Sequence, residues 1–403
     1  MGFKGVEVNK SNGNLGRHNS TNDGTCLLII GGATAASGLT LKYAKEYLSL
    51  ANAEADGITV SYDDTNNILA NHHIDEFFRI SPNGNLFIVL DDGTMTDIEL
   101  KAILKTNQNI KSLGFVRNGD APADFSAYVG AKQNIVNVLK EESRKIDAVI
   151  VEGIVFDGAT AISDYLDLRT LNAPNVSVVI GQDPIIRNVK PAHEKYAAVG
   201  SVLGAISIRS VNENIGSVDI ETKPNSKKAE KDYPLTDKGR SRWISAVLQN
   251  GIDFNILEAN EIKELNKRGY VYVGSYNGYA GYYFNDSHTC VEKGSDYSRI
   301  ENNRVWNKAA GLLRQALLPR VKSNLLKDPD TGSIREIEAT ELETLGNNAI
   351  RRMTAASEIS GSEVYIDPTQ DLTNDVPLIV KAQVVFNNII HEFSVDLGLT
   401  NKI

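Results

Sequence analysis

Long apolar runs are missing from this chain of 403 residues. No stretch reaches the roughly 18 consecutive apolar residues of a membrane-spanning helix, so none is expected. Cysteine is scarce: the two present, Cys26 and Cys290, lie far apart and form no metal or redox spacing. Both read as packing residues. Positive charge is in deficit, and the formal net charge of -9 argues against general affinity for nucleic acid or anionic membrane. Residues 1–18 are polar and rich in Gly and Asn, without the apolar core of a secretory signal, so synthesis and folding in the cytoplasm are expected. What remains is ordinary for a globular protein: 41% hydrophobic and 23% charged residues, in a chain long enough for two or three domains.

Apolar pentads and tetrads recur along the first half. They are Cys26-Leu27-Leu28-Ile29-Ile30, Leu86-Phe87-Ile88-Val89-Leu90, Leu113-Gly114-Phe115-Val116, Ala148-Val149-Ile150-Val151, Val176-Ser177-Val178-Val179-Ile180 and Ala205-Ile206-Ser207-Ile208. Runs apolar on both faces predict strands in a sheet covered by helices. Helical patterns fall between them, at 39–50, 96–105, 124–142, 159–170 and 191–202. Alternating strands and helices predict a mostly parallel α/β domain over residues 21–209. Ahead of it, 1–20 reads as an arm in which only Gly5-Val6-Glu7-Val8 alternates.

Beyond a polar linker at 217–237, helices are predicted at 237–250 and 256–266. Tyrosines interleaved with glycines over 268–290 predict twisted antiparallel strands. Two long amphipathic helices follow. One spans 301–318, with Val305, Ala309, Leu312, Leu313, Ala316 and Leu317 as its stripe and Pro319 as its stop; the other spans 339–357. Residues 210–375 thus form a second, α+β domain, and 376–403 a closing arm. That arm alternates twice. Leu378, Val380, Ala382, Val384 and Phe386 share one face, and Phe393, Val395 and Leu397 another. A strand so close to a chain end either pairs inside its own domain or serves a neighbouring subunit.

Catalytic motifs are weak. Gly31-Gly32-Ala33-Thr34-Ala35-Ala36-Ser37-Gly38 sits where a phosphate loop would, between a strand and a predicted helix, but lacks the P-loop ending and the dinucleotide spacing. It reads better as a turn and cap. No Gly-x-Ser-x-Gly elbow occurs. Asp91, Asp92, Asp157 and Asp183 follow predicted strands, where α/β active sites gather, yet acids there also cap and turn. His72 and His73, adjacent on a helix beside Asp75 and Glu76, read as a solvated face, since neighbouring helical residues rarely chelate one ion. His18, His193, His288 and His391 are isolated. The strongest charge asymmetry is basic: no acid lies between Asn302 and Lys327, while Arg304, Lys308, Arg314, Arg320 and Lys322 do. This reads as a solvated face or a docking surface for an acidic partner.

The order of these parts resembles the contractile tail sheath proteins of phages and of related injection particles. The carrying features are Gly5-Val6-Glu7-Val8 ahead of Leu27-Leu28-Ile29-Ile30-Gly31-Gly32-Ala33, the stretch from Leu265-Asn266-Lys267-Arg268-Gly269-Tyr270 through Tyr297-Ser298-Arg299 and Asn303-Arg304-Val305-Trp306, and the strand-turn-strand of 376–397. The family's paired arginines before the long helix are absent as a pair; Arg299 and Arg304 stand apart. The resemblance implies an outer α/β domain of subtilisin-like topology without a triad, and a C-terminal α+β sheath domain joined to its neighbours by exchanged N- and C-terminal β-arms. Gly5, Val6, Glu7, Val8, Phe393, Val395 and Leu397 would be the exchanged residues. Arg304, Lys308, Arg314, Arg320 and Lys322 would face an inner tube. It implies a structural subunit rather than an enzyme, with no cofactor or metal. Its expected partners are further copies of itself in a helical homo-oligomer, the inner tail tube protein, and baseplate and terminator proteins; nucleic acid and membrane insertion are not expected. It would reside in a virion tail or a contractile particle. The rivals are an α/β hydrolase or nucleotide-binding enzyme built on Gly31–Ser37, and a baseplate component.

Overall fold

A computed structural model describes residues 22–118, 122–154, 160–186, 196–218, 235–370, 372 and 376–399. Gly5, Val6, Glu7 and Val8 lie outside the described residues, as do His18, Asp157 and His193. The strands are β1 (Cys26–Ile30), β2 (Lys45–Tyr47), β3 (Leu86–Leu90), β4 (Ser112–Val116), β5 (Ala148–Glu152), β6 (Val176–Val179), β7 (Gly181–Gln182), β8 (Val247–Leu248), β9 (Val273–Gly274), β10 (Tyr283–Phe284), β11 (Gly361–Tyr365) and β12 (Lys381–Val385). The helices are α1 (Leu50–Ala55), α2 (Val60–Asn66), α3 (Ala70–Ile80), α4 (Asp97–Thr106), α5 (Phe125–Glu141), α6 (Val199–Ile208), α7 (Ala259–Arg268), α8 (Ile300–Leu317) and α9 (Glu336–Ala355).

The first six strands form one sheet in the order β2-β3-β1-β4-β5-β6. All pairings are parallel except β2 with β3. This is the mixed α/β architecture expected. Alternation along each buried strand splits the interior in two: Leu28 and Ile30 enter one core, Leu27 and Ile29 the other. Helices cover both faces, and their caps follow from the residues. Thr96 and Glu99 form a capping box at α4, and Asp124 caps α5. Among the described residues, no helix is long and apolar enough to cross a membrane.

Several local expectations fail for identifiable reasons. The run 205–208 is the end of helix α6, not a strand; all but its last residues are buried, so apolarity carries no period to separate the two states. Of the helix expected at 39–50, only Leu50 is helical, as the first residue of α1. Ser37 spends its hydroxyl on the Asp56 carbonyl, the chain forms edge strand β2, and the helix waits for Ser49, whose side chain accepts from Asn52 N–H. Where a helix is expected at 159–170, the described residues 160–170 hold two short 3₁₀ turns, the second started by Asp167. The 237–250 helix is replaced by a turn, in which the Asp237 carboxylate accepts from Gly239 and Arg240 N–H, followed by β8.

The two sheet cores draw on residues as late as Ile300: Trp243, Val271, Val273 and Phe284 join one, and Tyr270, Tyr272 and Cys290 the other. The aromatic-glycine stretch contributes the expected antiparallel pair, β9 with β10, as a two-residue ladder. A separate core gathers Val211, Val305, Ala309, Ile350, Met353, Ile359 and Val364. It lies between α8, α9 and the antiparallel hairpin β11–β12.

Candidate assembly surface

The carboxyl edge of the sheet is where a doubly wound fold would hold a ligand, and here it is filled by its own chain. A Cβ at Gly31 would sit 3.0 Å from the carbonyl oxygens of Val116 and Arg117, and Gly32 has φ +69. The glycines therefore answer to close packing and backbone handedness. No helix opens after them; Ala36 pairs with Leu39 and the chain runs to β2. Asn118 bridges the gap, donating to the Gly31 carbonyl at 3.1 Å and accepting from Leu69 N–H at 3.2 Å. Glu152, fully buried at the end of β5, accepts from the backbone N–H of Arg117 and Ala197. Asp91 and Asp92 bind the N–H groups of their own turn. Asp183 accepts from Ile185 and Trp243 N–H.

His72 and His73 are not on a solvated face. They are 6% and 1% exposed, against α6 and the 235–249 segment. The amphipathic pattern of α3 failed to reveal this because its polar side meets a second polar surface. Glu76 explains that surface: it accepts from Arg79 (2.7 and 2.8 Å), Trp243 Nε1 (3.0 Å) and Ser201 (2.9 Å). Arg242 pairs with Asp75 at 2.5 Å. The network fastens the 235–249 segment to α3. Burial pushes both histidines down, to about 4 for His72 and about 3 for His73, so they are neutral at pH 7.

A second polar cluster joins the two cores at the start of α8. Asn214 donates to Asp286 (2.6 Å), Ser287 (3.0 Å) and Glu301 (3.0 Å), and Arg299 forks onto Asp286 at 3.1 and 3.0 Å. Burial pushes the Glu301 carboxyl up to about 7. Burial likewise opposes charge on Asp286, but His288 and Arg299 outweigh it and hold that carboxyl well below the usual range. These residues are scattered over 88 positions of sequence, from 214 to 301, and no spacing rule exposes them.

The expected basic surface divides on inspection. Arg304 is 1% exposed and donates to the backbone carbonyls of Ser210, Arg209 and Asp23, so it is a buried tether rather than a tube-facing residue. Lys308 is half-buried between Asp23 (2.7 Å) and Glu358 (2.6 Å). Burial works against its charge, but the two carboxylates raise its pKa. Arg314, Arg320 and Lys322 are exposed, with Arg320 paired to Glu341.

The closing arm separates likewise. Its first alternating stretch is strand β12, paired antiparallel with β11, so this part pairs within its own chain. Val380, Val384 and Phe386 lean on the α8–α9 core, on the face their alternation indicated. One edge of the hairpin is closed by side chains: Asn347 of α9 donates to the Val364 carbonyl and accepts from its N–H, and Glu343 accepts from Ile366 N–H. Past β12 no further strand is paired among the described residues. The second alternating stretch forms no strand. Phe393, Val395 and Leu397 are 77%, 79% and 90% exposed.

Family models place the chain. DUF2586, N-terminal domain, matches residues 3–288, and DUF2586, C-terminal domain, matches residues 296–403. The chain belongs to the DUF2586 family. The two family domains meet close to where the hydrophobic cores divide, whereas the division expected at 209–210 falls inside the first. No curated protein sequence matches the chain. Among solved structures, this family member is similar to a chain of the anti-feeding prophage baseplate seen by cryo-electron microscopy with six-fold symmetry, with a TM-score of 0.58, 12% identity, and 99% of each chain covered. The same baseplate in its contracted state gives a TM-score of 0.56 at 11% identity, again over 99% of both chains. The sheath tail protein from Desulfitobacterium hafniense gives 0.51 at 10% identity, over 95% of this chain and all of that one. The chain therefore has the sheath-like fold of these contractile-particle proteins, end to end.

Proposed function

We propose that this chain is a structural subunit of a contractile tail sheath, or of the sheath of a contractile injection particle. It polymerises around an inner tube by lending strands to its neighbours, and the polymer shortens to drive the tube forward. The observation that carries this reading is the pairing of an open strand edge with an unpaired alternating arm. A two-stranded hairpin is marginal alone, and β12 offers its outer edge. Beyond it Phe393, Val395 and Leu397 are exposed, with no cover among the described residues. A neighbour's hairpin supplies what they lack, and the reverse contact repeats along the assembly. Gly5, Val6, Glu7 and Val8 would add a second lent strand. Sheath-like fold over the whole chain supports the same reading.

Arg314, Arg320 and Lys322 would meet acidic residues of the tube protein, without Arg304 and with Lys308 in a supporting role. Replacing those three with Glu should stop assembly around the tube; normal assembly would end that part. A baseplate role is the second reading, favoured by the likeness to chains in the two baseplate structures. Negative-stain microscopy of the purified chain, alone and with its tube partner, separates the readings: striated tubes indicate sheath, closed rings a baseplate component, and compact single particles an enzyme.

A further inference from the structure

A cationic patch surrounds Trp306 of α8. Lys140, at the end of α5, and Lys145 place their ammonium groups 4.8 and 4.9 Å from the centre of the indole ring. Tyr297 meets the same ring edge-on at 6.4 Å. Burial lowers the Lys145 pKa, and repulsion from Lys140, Arg314 and Lys111 lowers it further, so the four cations crowd together. None of the four has a carboxylate partner of its own among the described residues. The carboxylate beneath them, Asp147, is buried and accepts from Asn307 at 2.8 Å. In a chain of net charge -9, the Trp306 ring offsets part of this repulsion, but among the described residues no carboxylate neutralises it.

The opposite corner carries the complement. No Lys or Arg occurs from residue 46 to residue 78. Several acids of that stretch are engaged: Asp56 by Lys45 and Tyr47, Asp63 at the start of α3, Asp75 and Glu76 by Arg242 and Arg79. Glu46, Glu54 and Asp64 are exposed and, among the described residues, free of cations, beside Tyr43 and Val60, which are 62% and 59% exposed. The patches cannot meet within one subunit. Lys111 and Lys145 lie just before β4 and β5, at the amino ends of the strands, whereas α2 is tied through Tyr62 and Asn66 to Thr34 past the carboxyl end of β1. β2 also lies four strand positions from β5, about 19 Å at the usual spacing.

We infer that the Trp306 patch of one subunit docks the acidic β2–α1–α2 corner of a second copy, forming a head-to-tail contact between α/β domains. The occupant is assigned by charge complementarity, and by the geometry: opposite corners of one chain generate a contact that propagates instead of closing on itself. The inference rests on the polymer reading above, but uses surfaces distinct from the exchanged strands.

Full-length chains test it by sedimentation velocity and negative-stain microscopy, with thermal melting as the check on folding. One variant carries K111E, K140E and K145E; a second carries E46K, E54K and D64K; a third carries all six. Each three-residue variant should weaken self-association at least about tenfold, and the six-residue chain should regain it. The Gln substitutions K111Q, K140Q and K145Q serve if the reversed chain fails to fold, with a smaller loss expected. Unchanged association in the reversed or neutralised chains overturns the proposal; so does loss without recovery in the six-residue chain, which would assign the patch to a different acidic partner. A chain ending at residue 388 separates the two ideas. If it fails to associate while the charge variants associate normally, strand exchange stands and this contact falls; if all associate normally, both fall.

Discussion

β1 buries all five of its residues, whereas β12, of similar length, leaves four of five exposed. The two strands differ in what their surroundings can offer. β1 lies at the centre of the sheet, with hydrogen-bonding neighbours on both edges and a core on each face. Among the described residues, β12 has one neighbour, one half-covered face and an open edge. The sheet block is complete as a monomer and its stability belongs to the chain. The hairpin and its arm hold apolar side chains that the described residues leave uncovered, which under the proposed strand exchange a second molecule would cover.

The comparison can be broken most forcefully inside the sheet block. Glu76→Ala strands Arg79, Arg242 and Trp243 Nε1 in a buried site and should cost about 3–5 kcal/mol, read as a large fall in melting temperature of the isolated subunit. A fall under about 1 kcal/mol would show that the 235–249 segment is held by packing alone. Arg304→Ala removes the guanidinium from three backbone carbonyls between the two cores, and should cost about 1–3 kcal/mol in a chemical denaturation curve. An unchanged curve with defective tube binding would return Arg304 to the docking surface.

The junction cluster sharpens the comparison through pH. Glu301 binds its proton more tightly folded than unfolded, so it favours the folded state most at low pH; that advantage is lost as pH rises from the ordinary carboxyl value through about 7. Glu301→Gln should therefore flatten the decline in unfolding free energy between pH 5 and 8, by at most about 3 kcal/mol, read from denaturation curves across that range. The buried His72 and His73 act oppositely: the unfolded chain binds their protons more tightly, so stability falls as pH drops below their ordinary value. The smallest effect on the monomer is expected in the arm. Phe393→Ser with Val395→Ser should change subunit stability by under about 0.5 kcal/mol while abolishing assembly in microscopy. A destabilised monomer would mean that the arm packs on its own chain.

The parallel strands were legible because burial on both faces writes itself as unbroken apolarity. That signal became ambiguous at 205–208, where a helix buried all round looks the same. Residues 39–50 were misread because Ser37 and Ser49 are equally good helix starts in isolation, and only the tertiary bond to Asp56 decides between them. His72 and His73 were misplaced because a polar helix face says nothing about whether water or Arg242 lies opposite. Val380, Val384 and Phe386 of the closing arm and Val305, Ala309, Leu312 and Leu313 of α8 were readable, since each contacts the core directly; Ala382 is exposed, and Ala316 and Leu317 lie outside that core. Arg304 was misassigned for the same reason as the histidines: a cation counts as basic surface until its carbonyl partners, distant in sequence, are seen. The Trp306 patch was invisible because its cations come from separate elements.

The central claim is that the ends of the chain complete their folding in a neighbour. It is tested most directly by purifying a chain trimmed before residue 21 and after residue 388 and imaging it with and without the tube protein. The account predicts a folded, monodisperse subunit with a near-native melting temperature that builds no tubes. Ordered cylinders that still shorten would contradict it.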